Sequence, residues 1–493
     1  MSKKKGLALL LAMILSFSAL AACGGDDNDN NHAGNNSNTE QPDNGNIDNG
    51  NIDDGSSDDG NVDDGFIEDG EDEEIPVVDA YDVMNLGEIA VGIYATPPTP
   101  TQEHYSWMAQ AGINFVNGFR WSETSVDEIR EAMTYADNED MKFLVNDGVV
   151  YDLLDDHFKL DPKSADYEIQ SKALVNQAME QIALYSDHSA YAGQFFIDEP
   201  FNYQLDDIAA FSNAFDEEYE GYFWNVNMFP TQIAAGTLGA NYTDFMDNYF
   251  NLTNAKSYSF DCYPMLIDGI MSDYIYCLDL VRTKTVERGV PFWNFIQVMG
   301  IGDTKIGLQK RDPSDEDIRW QVFMSLAFGA KGIQYFTYAT PDSTDEVFTA
   351  GMIDKDGNRS PHYYAVQEVN EDFKDYSEIL VHCDSKGVIY NGLEATGNYT
   401  LYSSNSLLNS YGALQAISGD AAIIGCFEHT ATNKQYIMIV PPSPETGARM
   451  ELSFDDSLDT ITTYMNCATE EVELEDGKVT LTIARGDAIF IEI

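Results

Sequence analysis

The sequence predicts a (β/α)8 barrel followed by an antiparallel β-sandwich, and two observations lead to this fold class. Between about residues 86 and 378, eight apolar β-rich runs alternate with helical patterns, as successive βα units require. The remaining residues contain short strand-like runs separated by Gly, Asn, Asp and Ser, which is typical of a sandwich. A doubly wound open sheet is the alternative for the first part, and the count of eight favours the barrel.

The predicted barrel strands include segments that are apolar on both faces, as strands covered by helices on two sides are. Residues 195–197 and 295–296 are examples. We therefore predict a barrel domain at 80–377 and a β-sandwich domain at 378–493. The predicted barrel strands are 88–96, 114–121, 142–147, 192–198, 222–228, 257–263, 291–299 and 332–338.

The N-terminus predicts export and lipid anchoring. Three lysines at positions 3–5 precede an apolar stretch at 6–22, which is short for a membrane span. The stretch ends in Leu-Ala-Ala-Cys at 20–23, which resembles the lipobox of bacterial lipoproteins, so we predict a signal peptide at 1–22 and lipidation of Cys23. An ordinary signal peptide is the alternative. The lipoprotein resemblance implies a protein held on the extracellular face of the cell membrane.

Composition excludes several classes of function. The chain has 26 Lys and Arg against 84 Asp and Glu, a formal net charge of −58, which repels nucleic acids and anionic lipid surfaces. Residues 23–79 are rich in Asn, Asp and Gly and predict a disordered acidic linker. Nucleotide-binding and zinc-binding motifs are absent from the sequence, so it indicates no cofactor.

The chemistry of a (β/α)8 barrel is expected at the carboxyl ends of its strands. Carboxylates, amides and aromatic residues are concentrated at these ends in this sequence. Carboxylates supply the proton and the negative charge that glycosidic bond cleavage needs, and amides bind sugar hydroxyls. The strand ends therefore predict a carbohydrate site.

Four segments resemble clan-A-type barrel glycoside hydrolases, notably the β-galactosidase-like family 42. Residues 195–200 (Phe-Phe-Ile-Asp-Glu-Pro) are similar to the strand-four signature, and 325–338 resemble the last helix and strand. Residues 260–264 (Phe-Asp-Cys-Tyr-Pro) resemble strand six, and 486–493 resemble the closing strand of the β-domain. The likeness covers 86–493 in patches.

The resemblance implies that Glu199 is the general acid/base at the end of strand four. Asp198 stands where these enzymes usually carry an asparagine that binds a sugar hydroxyl. A neighbouring carboxylate raises the pKa of an acid, which suits a proton donor. Because successive strand residues point to opposite faces, both side chains enter the site only if the strand bends there.

The sequence departs from this family at strand seven, where the resemblance implies a nucleophilic glutamate. Gln297 is the polar residue there, and an amide cannot attack as a carboxylate does. Asp261 on strand six is the preferred second carboxylate, with Asp147 and Glu123 in reserve. A separation from Glu199 of about 5–5.5 Å indicates a retaining enzyme, and about 6.5–9.5 Å an inverting one.

A surface-anchored glycoside hydrolase acting on oligo- or polysaccharides is the function that these features predict. One alternative is substrate assistance by a 2-acetamido group, with Asp198 orienting it and Tyr263 hydrogen-bonded to it. A noncatalytic glycan-binding lipoprotein is a further alternative, since strand seven lacks the glutamate. A transporter's solute-binding lipoprotein is disfavoured, because that class has two α/β lobes. The remaining candidate substrate contacts are Asp147, Trp121, Asn225, Asn227, Gln297 and Tyr338.

Overall fold

The structure is a computed structural model that describes residues 80–97, 99–118, 125–403 and 406–493. The predicted signal peptide, Cys23, the acidic linker, Trp121 and Glu123 lie outside the described residues. Within the described ranges, no helix combines the length and the apolar character that a membrane span requires.

Eight parallel strands close into a barrel, which confirms the predicted fold class. The barrel order is β1-β2-β3-β4-β5-β6-β9-β12, and β12 pairs with β1. Each predicted strand overlaps an observed one. The strands of this part are β1 Ala90–Tyr94, β2 Phe115–Gly118, β3 Lys142–Val145, β4 Tyr191–Asp198, β5 Phe223–Met228, β6 Tyr258–Asp261, β7 Met265–Leu266, β8 Gly269–Ile270, β9 Phe292–Gln297, β10 Ile301–Asp303, β11 Gly307–Lys310, β12 Gly332–Phe336 and β13 Glu346–Phe348.

The helices begin where the sequence supplies capping residues. Ser125 and Glu128 form a capping box at the start of α2, and Ser314 with Asp317 does the same for α9. The helices are α1 Gln102–Gln110, α2 Val126–Asp137, α3 Gly148–His157, α4 Tyr167–Ile182, α5 Leu205–Glu218, α6 Ala235–Leu238, α7 Tyr242–Leu252, α8 Tyr274–Arg288, α9 Asp315–Ala327 and α10 Pro361–Leu380.

Antiparallel sheets follow α10, as the predicted sandwich requires. A seven-stranded sheet has the order β15-β14-β17-β18-β23-β20-β21, and β16, β19 and β22 form a second sheet. Ile437 and Ile439 of the first sheet and Met450 and Leu452 of the second belong to one buried cluster. The strands are β14 Cys383–Asn391, β15 Leu407–Leu408, β16 Leu414–Gly419, β17 Ala422–His429, β18 Gln435–Val440, β19 Ala448–Phe454, β20 Thr460–Met465, β21 Ala468–Glu473, β22 Lys478–Ile483 and β23 Ile489–Glu492.

Aromatic side chains fill part of the barrel interior. The ring centroids of Phe115 and Phe223 each lie 5.2 Å from that of Trp293. These three side chains belong to one buried cluster, which includes residues near the amino ends of several barrel strands. The barrel is therefore a packed core at this depth, and its chemistry is expected at the carboxyl ends of the strands.

A small sheet covers part of the carboxyl end of the barrel, and the sequence did not predict it. Its order is β13-β10-β11-β7-β8, and we call it the cap sheet. The strands come from three βα loops: β7 and β8 follow β6, β10 and β11 follow β9, and β13 follows β12. Because these loops leave the carboxyl ends of barrel strands, the cap sheet lies on the side where chemistry is expected.

A buried arginine joins the barrel to the β-domain. Arg319 on α9 donates from Nε to Asp487 Oδ1 at 2.9 Å, and its Nη1 lies 2.5 Å from Asp372 Oδ2 on α10. The neighbouring Trp320 donates from Nε1 to the carbonyl oxygen of Pro441 at 3.1 Å. Both carboxylates are largely buried, so they depend on this guanidinium for their countercharge.

Replacing Arg319 by Met is expected to lower the free energy of unfolding by about 3–5 kcal/mol, because two buried carboxylates lose their partner. Thermal unfolding of the variant and the parent measures the change. Arg485→Met is the matched control, since Arg485 is 64% exposed and its Nη2 lies 2.7 Å from Glu316 Oε1. The control is expected to cost at most about 1 kcal/mol. Equal losses in the two variants would contradict the assignment.

Candidate active site

The end of strand β4 is irregular, and this irregularity directs two consecutive carboxylates into one site. The pairing of β4 with β5 shifts between Phe195 and Ile197, as in a β-bulge. Glu199 then adopts a φ of 50°, which is uncommon for a residue other than glycine. Its backbone nitrogen donates to the carbonyl oxygen of Asn227 at 2.8 Å. The bend that the sequence analysis required is therefore present.

Asp198 and Asp261 are brought together by a single amide. Asn227 donates from Nδ2 to Asp198 Oδ1 at 2.9 Å and to Asp261 Oδ1 at 3.1 Å. Ser259 donates from Oγ to Asn227 Oδ1 at 3.0 Å, and Gln334 donates from Nε2 to Ser259 Oγ at 2.8 Å. This chain fixes the orientation of the amide. Asn227 therefore supports the two carboxylates through hydrogen bonds, whereas the sequence predicted that it contacts sugar hydroxyls.

Burial and the charges of neighbouring carboxylates raise the pKa values of both Glu199 and Asp261. Burial, and then the charges of Asp261 and Asp198, hold the pKa of Glu199 well above its ordinary value. Burial and then Asp198 raise the pKa of Asp261 to about 7, while Lys310 and the hydrogen bond from Asn227 oppose the rise. Both carboxyls therefore hold a proton more readily than exposed acids do, which suits a site that needs a proton donor.

The apolar surroundings explain why burial dominates these pKa values. Tyr263, Phe295 and Phe336 belong to one buried cluster against which Tyr94 packs. The ring centroids of Tyr263 and Phe336 lie 5.4 Å apart, and those of Tyr94 and Phe295 lie 5.8 Å apart. Tyr263, a predicted site residue, is therefore part of the wall beside Asp261, the residue two positions before it.

The cap sheet supplies two charged residues that the sequence analysis missed. Lys310 on β11 has its Nζ 5.5 Å from the ring centroid of Tyr263. Glu346 on β13 is 4% exposed, and both its carboxyl oxygens lack a hydrogen-bond partner within the described structure. Burial, followed by the charges of Asp345 and Asp303, raises the pKa of Glu346 to about 8. Glu346 is therefore a further candidate contact for sugar hydroxyls.

Replacing Glu346 by Gln is expected to flatten the pH dependence of stability. The pKa of Glu346 rises from 4.5 to about 8 in the folded protein. Between these pH values the folded protein holds a proton that the unfolded chain has released, so the free energy of unfolding falls as pH rises. Between pH 4.5 and about 8, the free energy of unfolding of Glu346→Gln should therefore fall less than that of the parent.

Urea unfolding near pH 4.5 and near pH 8 measures the slope of the free energy of unfolding against pH. Glu220→Gln, at an exposed position, is the matched control and should keep the slope of the parent. A parental slope in Glu346→Gln would show that this carboxyl titrates normally in the folded protein.

Gln297 stands at the end of strand β9, and its side chain is occupied by backbone groups. Its Oε1 accepts from the nitrogen of Met265 at 3.0 Å, and its Nε2 donates to the carbonyl oxygens of Arg311 at 2.9 Å and Met299 at 3.2 Å. The side-chain amide of Gln297 is therefore already hydrogen-bonded and is not free for the predicted contact to a sugar hydroxyl. Gln297 instead holds the loops that carry the cap sheet against the barrel.

Of three other predicted contacts, two are hydrogen-bonded elsewhere and the third, Asn225, is buried with no hydrogen-bond partner for its amide within the described structure. Asp147 caps helix α3 and accepts from Gln181 Nε2 at 2.9 Å, because the strand leads directly into the helix. Tyr338 donates from its hydroxyl to the carbonyl oxygen of His104 at 3.1 Å and packs in the outer core. Asn225 is fully buried two residues before Asn227 on β5. In the described part of the chain, no group of His, Cys, Asp and Glu is arranged to hold a metal ion.

Comparison with protein families gives one match. Residues 224–376 match the glycoside hydrolase family 42 model, which is described as beta-galactosidase. The segment runs from β5 into α10 and includes Asn227, Asp261, Lys310 and Glu346, whereas Glu199 lies before it. No curated protein matches the chain. Residues 224–376 are therefore similar to the glycoside hydrolase family 42 model, which covers less than half of the chain.

Two solved structures of beta-galactosidases share the fold at low sequence identity. That from Bacillus circulans sp. alkalophilus is 10% identical with a TM-score of 0.56, and the match covers 83% of this chain and 99% of that chain. A catalytic mutant of a GH42 beta-galactosidase from G. stearothermophilus is 8% identical with a TM-score of 0.56, and the match covers 83% of this chain and 99% of that chain. The enzyme from psychrophilic Marinomonas ef1 is 14% identical with a TM-score of 0.43, and the match covers 59% of this chain and only 60% of that one.

Proposed function

We propose that the protein is a glycoside hydrolase in which Glu199 is the general acid and Asp261 is the second carboxylate. The observation that carries this proposal is the group of buried carboxyls at the ends of strands β4 and β6, where Asn227 Nδ2 donates to Asp198 Oδ1 at 2.9 Å and to Asp261 Oδ1 at 3.1 Å beside Glu199. Glu199 has its pKa well above its ordinary value, and Asp261 has a pKa of about 7. A protonated acid beside an ionisable carboxylate is the arrangement that glycosidic bond hydrolysis uses.

The proposed reaction begins with proton transfer from Glu199 to the glycosidic oxygen as the bond from that oxygen to the anomeric carbon breaks. Ionised Asp261 stabilises the positive charge that develops at the sugar. Asp261 then either takes a proton from a water that attacks the anomeric carbon, or attacks that carbon itself. In the second case, water assisted by Glu199 later releases the sugar. Nuclear magnetic resonance of the first product distinguishes inversion from retention.

An aromatic stack in the loop after Glu199 supports an oligo- or polysaccharide substrate. The rings of Phe201 and Tyr203 lie 5.6 Å apart between centroids and are inclined by only 9°. Tyr203 is 70% exposed, so its outer face is open to a ligand. Aromatic faces are common in ligand sites, and this one is four residues from the acid that serves the leaving group.

A panel of chromogenic glycosides and longer glycans tests the proposed function. The matched family model is described as beta-galactosidase, and the solved structures above are beta-galactosidases, so β-galactosides come first in the panel. We expect turnover that is lost in Glu199→Gln. Glycan binding without turnover would instead indicate a noncatalytic carbohydrate-binding protein. Turnover confined to 2-acetamido sugars would make the substrate its own nucleophile, with Asp198 and Tyr263 placed to orient it.

We further propose that Cys23 is lipidated and holds the enzyme on the extracellular face of the membrane. The support is the lipobox-like Leu-Ala-Ala-Cys at 20–23 and the acidic segment that follows it. Metabolic labelling with a radioactive fatty acid tests this, because Cys23→Ser should abolish labelling and release the protein from the membrane fraction. Unchanged labelling in that variant would exclude anchoring at this residue.

A further inference from the structure

The barrel interior contains buried polar side chains whose atoms lack partners within the described part of the chain. Six such atoms are Asn117 Oδ1 and Nδ2, Asn225 Oδ1 and Nδ2, Gln334 Oε1 and Trp293 Nε1. We call these four residues the interior polar cluster, and none of them is more than 2% exposed. Folded proteins pair almost all buried polar groups with protein atoms or with ordered water, because an unpartnered group costs free energy.

The alternation of side chains along the strands directs this cluster toward the barrel axis. Phe115 on β2 and Phe223 on β5 belong to the aromatic cluster inside the barrel, as Trp293 does. Asn117 follows Phe115 by two residues, so both side chains point to the same face of β2. Asn225 follows Phe223 by two residues and points inward from β5 for the same reason.

The inward side chains of alternate strands meet at this height. Gln334 on β12 donates from Nε2 to Ser259 Oγ on β6 at 2.8 Å, although β9 lies between these strands. Alternate strands share layers of side chains in a (β/α)8 barrel, and β2 is the next alternate strand beyond β12, so Asn117 belongs to this layer. Trp293 on β9 pairs in register with Ser259, and Asn225 lies on β5 at the other side of β6, so both border the layer.

Side-chain hydrogen bonds connect the interior polar cluster to the acids. Ser259, which accepts from Gln334, donates from Oγ to Asn227 Oδ1 at 3.0 Å. Asn227 in turn donates to Asp198 at 2.9 Å and to Asp261 at 3.1 Å. The direction of this chain depends on Gln334, because its amide donates to Ser259 only when Oε1 points away from the serine. A hydrogen-bond donor at Oε1 holds the amide in that orientation.

We propose that the interior polar cluster binds ordered water molecules beneath the acids, and that one of them donates to Gln334 Oε1. At about three hydrogen bonds per buried water, the six unpartnered atoms correspond to about two water molecules. Three of these atoms are amide oxygens and three are nitrogens that donate, so the ligand must both donate and accept, as water does and a metal cation does not. The inference rests on the proposed glycoside hydrolase function only for its catalytic meaning.

A neutron structure of the deuterium-exchanged protein tests the water site directly, because it shows the orientation of each amide and each water molecule. We expect about two water molecules within hydrogen-bond distance of the interior polar cluster, with Gln334 Oε1 accepting from one of them. Direct bonds among these side chains without water, or a Gln334 amide whose Oε1 faces Ser259, would overturn the proposal. This measurement needs no variant.

Asn225→Leu tests the site in solution, because leucine has a similar volume and no polar atom. Oxygen-17 relaxation dispersion of the solvent counts the water molecules that stay inside the folded protein, and the variant should hold fewer by about one or two. Its kcat should fall roughly tenfold with KM unchanged, since the chain to the carboxylates loses a hydrogen bond that orients it. Asn176→Leu, at an exposed position on α4, is the matched control and should resemble the parent in both measurements.

Equal water counts in folded Asn225→Leu and the parent would contradict the water site. A parental kcat in a variant that has lost water would contradict the role of this water in orienting the chain to the acids. If the parent shows no hydrolysis, the proposed function fails, whereas the neutron structure and the water count still decide whether the interior polar cluster binds water.

Discussion

Replacing Glu199 by Gln is expected to lower kcat on an unactivated glycoside by about 10²–10⁴-fold, because the amide has no acidic proton to give to the leaving oxygen. The loss should be smaller on a substrate whose leaving group departs without protonation. The basic limb of the pH profile should also disappear, since it reports the proton held by Glu199. Steady-state kinetics on the two substrates over a range of pH measure all three effects.

Glu217→Gln is the control for this prediction, since Glu217 is an exposed residue on α5. It should leave kcat and the pH profile unchanged. Circular dichroism and thermal unfolding establish that Glu199→Gln remains folded. A folded Glu199→Gln protein with parental kcat on both substrates would remove Glu199 from the mechanism.

Replacing Asp261 by Asn is expected to reduce kcat by a similar factor, about 10²–10⁴-fold, because the amide cannot activate water or stabilise the developing positive charge. A second effect follows from the coupling between the two acids. The charge of Asp261 helps to raise the pKa of Glu199, so its removal should lower that pKa and move the basic limb to lower pH. The residual activity, measured over a range of pH, reports both changes.

Added azide separates the two roles of Asp261 in the folded variant. A sugar azide of configuration opposite to the substrate indicates that Asp261 is the nucleophile of a retaining enzyme, because azide replaces it. Asp268→Asn, in the exposed turn between β7 and β8, should behave like the parent. Parental kcat in Asp261→Asn would instead direct attention to Asp198 or Glu346 as the second carboxylate.

The barrel strands could be predicted because their signal is local. Phe195, Phe196 and Ile197 are apolar on both faces of β4, and this pattern needs no knowledge of distant residues. The barrel in turn determines where strand ends meet, so Glu199 and Asp261 could be assigned to one site. The bulge in β4 that turns both Asp198 and Glu199 inward was a requirement of the prediction, yet nothing in the sequence marked it.

The cap sheet could not be predicted, because its strands depend on contacts between distant loops. Strand β11 has only four residues, Gly307–Lys310, and strand β13 has three, Glu346–Phe348. Neither is long enough to show a repeating pattern. Lys310 and Glu346 therefore carried no sequence signal beyond their charge, although both reach the site in the structure.

The predicted contacts that the structure directs elsewhere share one cause. A position at the end of a strand does not reveal which partner takes the side chain. Asp147 stands directly before helix α3, and aspartate in that place commonly caps a helix. Tyr338 is similar, since its hydroxyl is taken by a carbonyl oxygen of helix α1.

The contacts of Gln297 have a consequence for what residue the end of β9 can carry. A glutamate at this position would set a negative oxygen against the carbonyl oxygens of Met299 and Arg311, which now accept from the amide. Gln297→Glu would therefore loosen the loops that the amide secures. A carboxylate at the end of β9 is thus compatible with this structure only if the surrounding loops change as well.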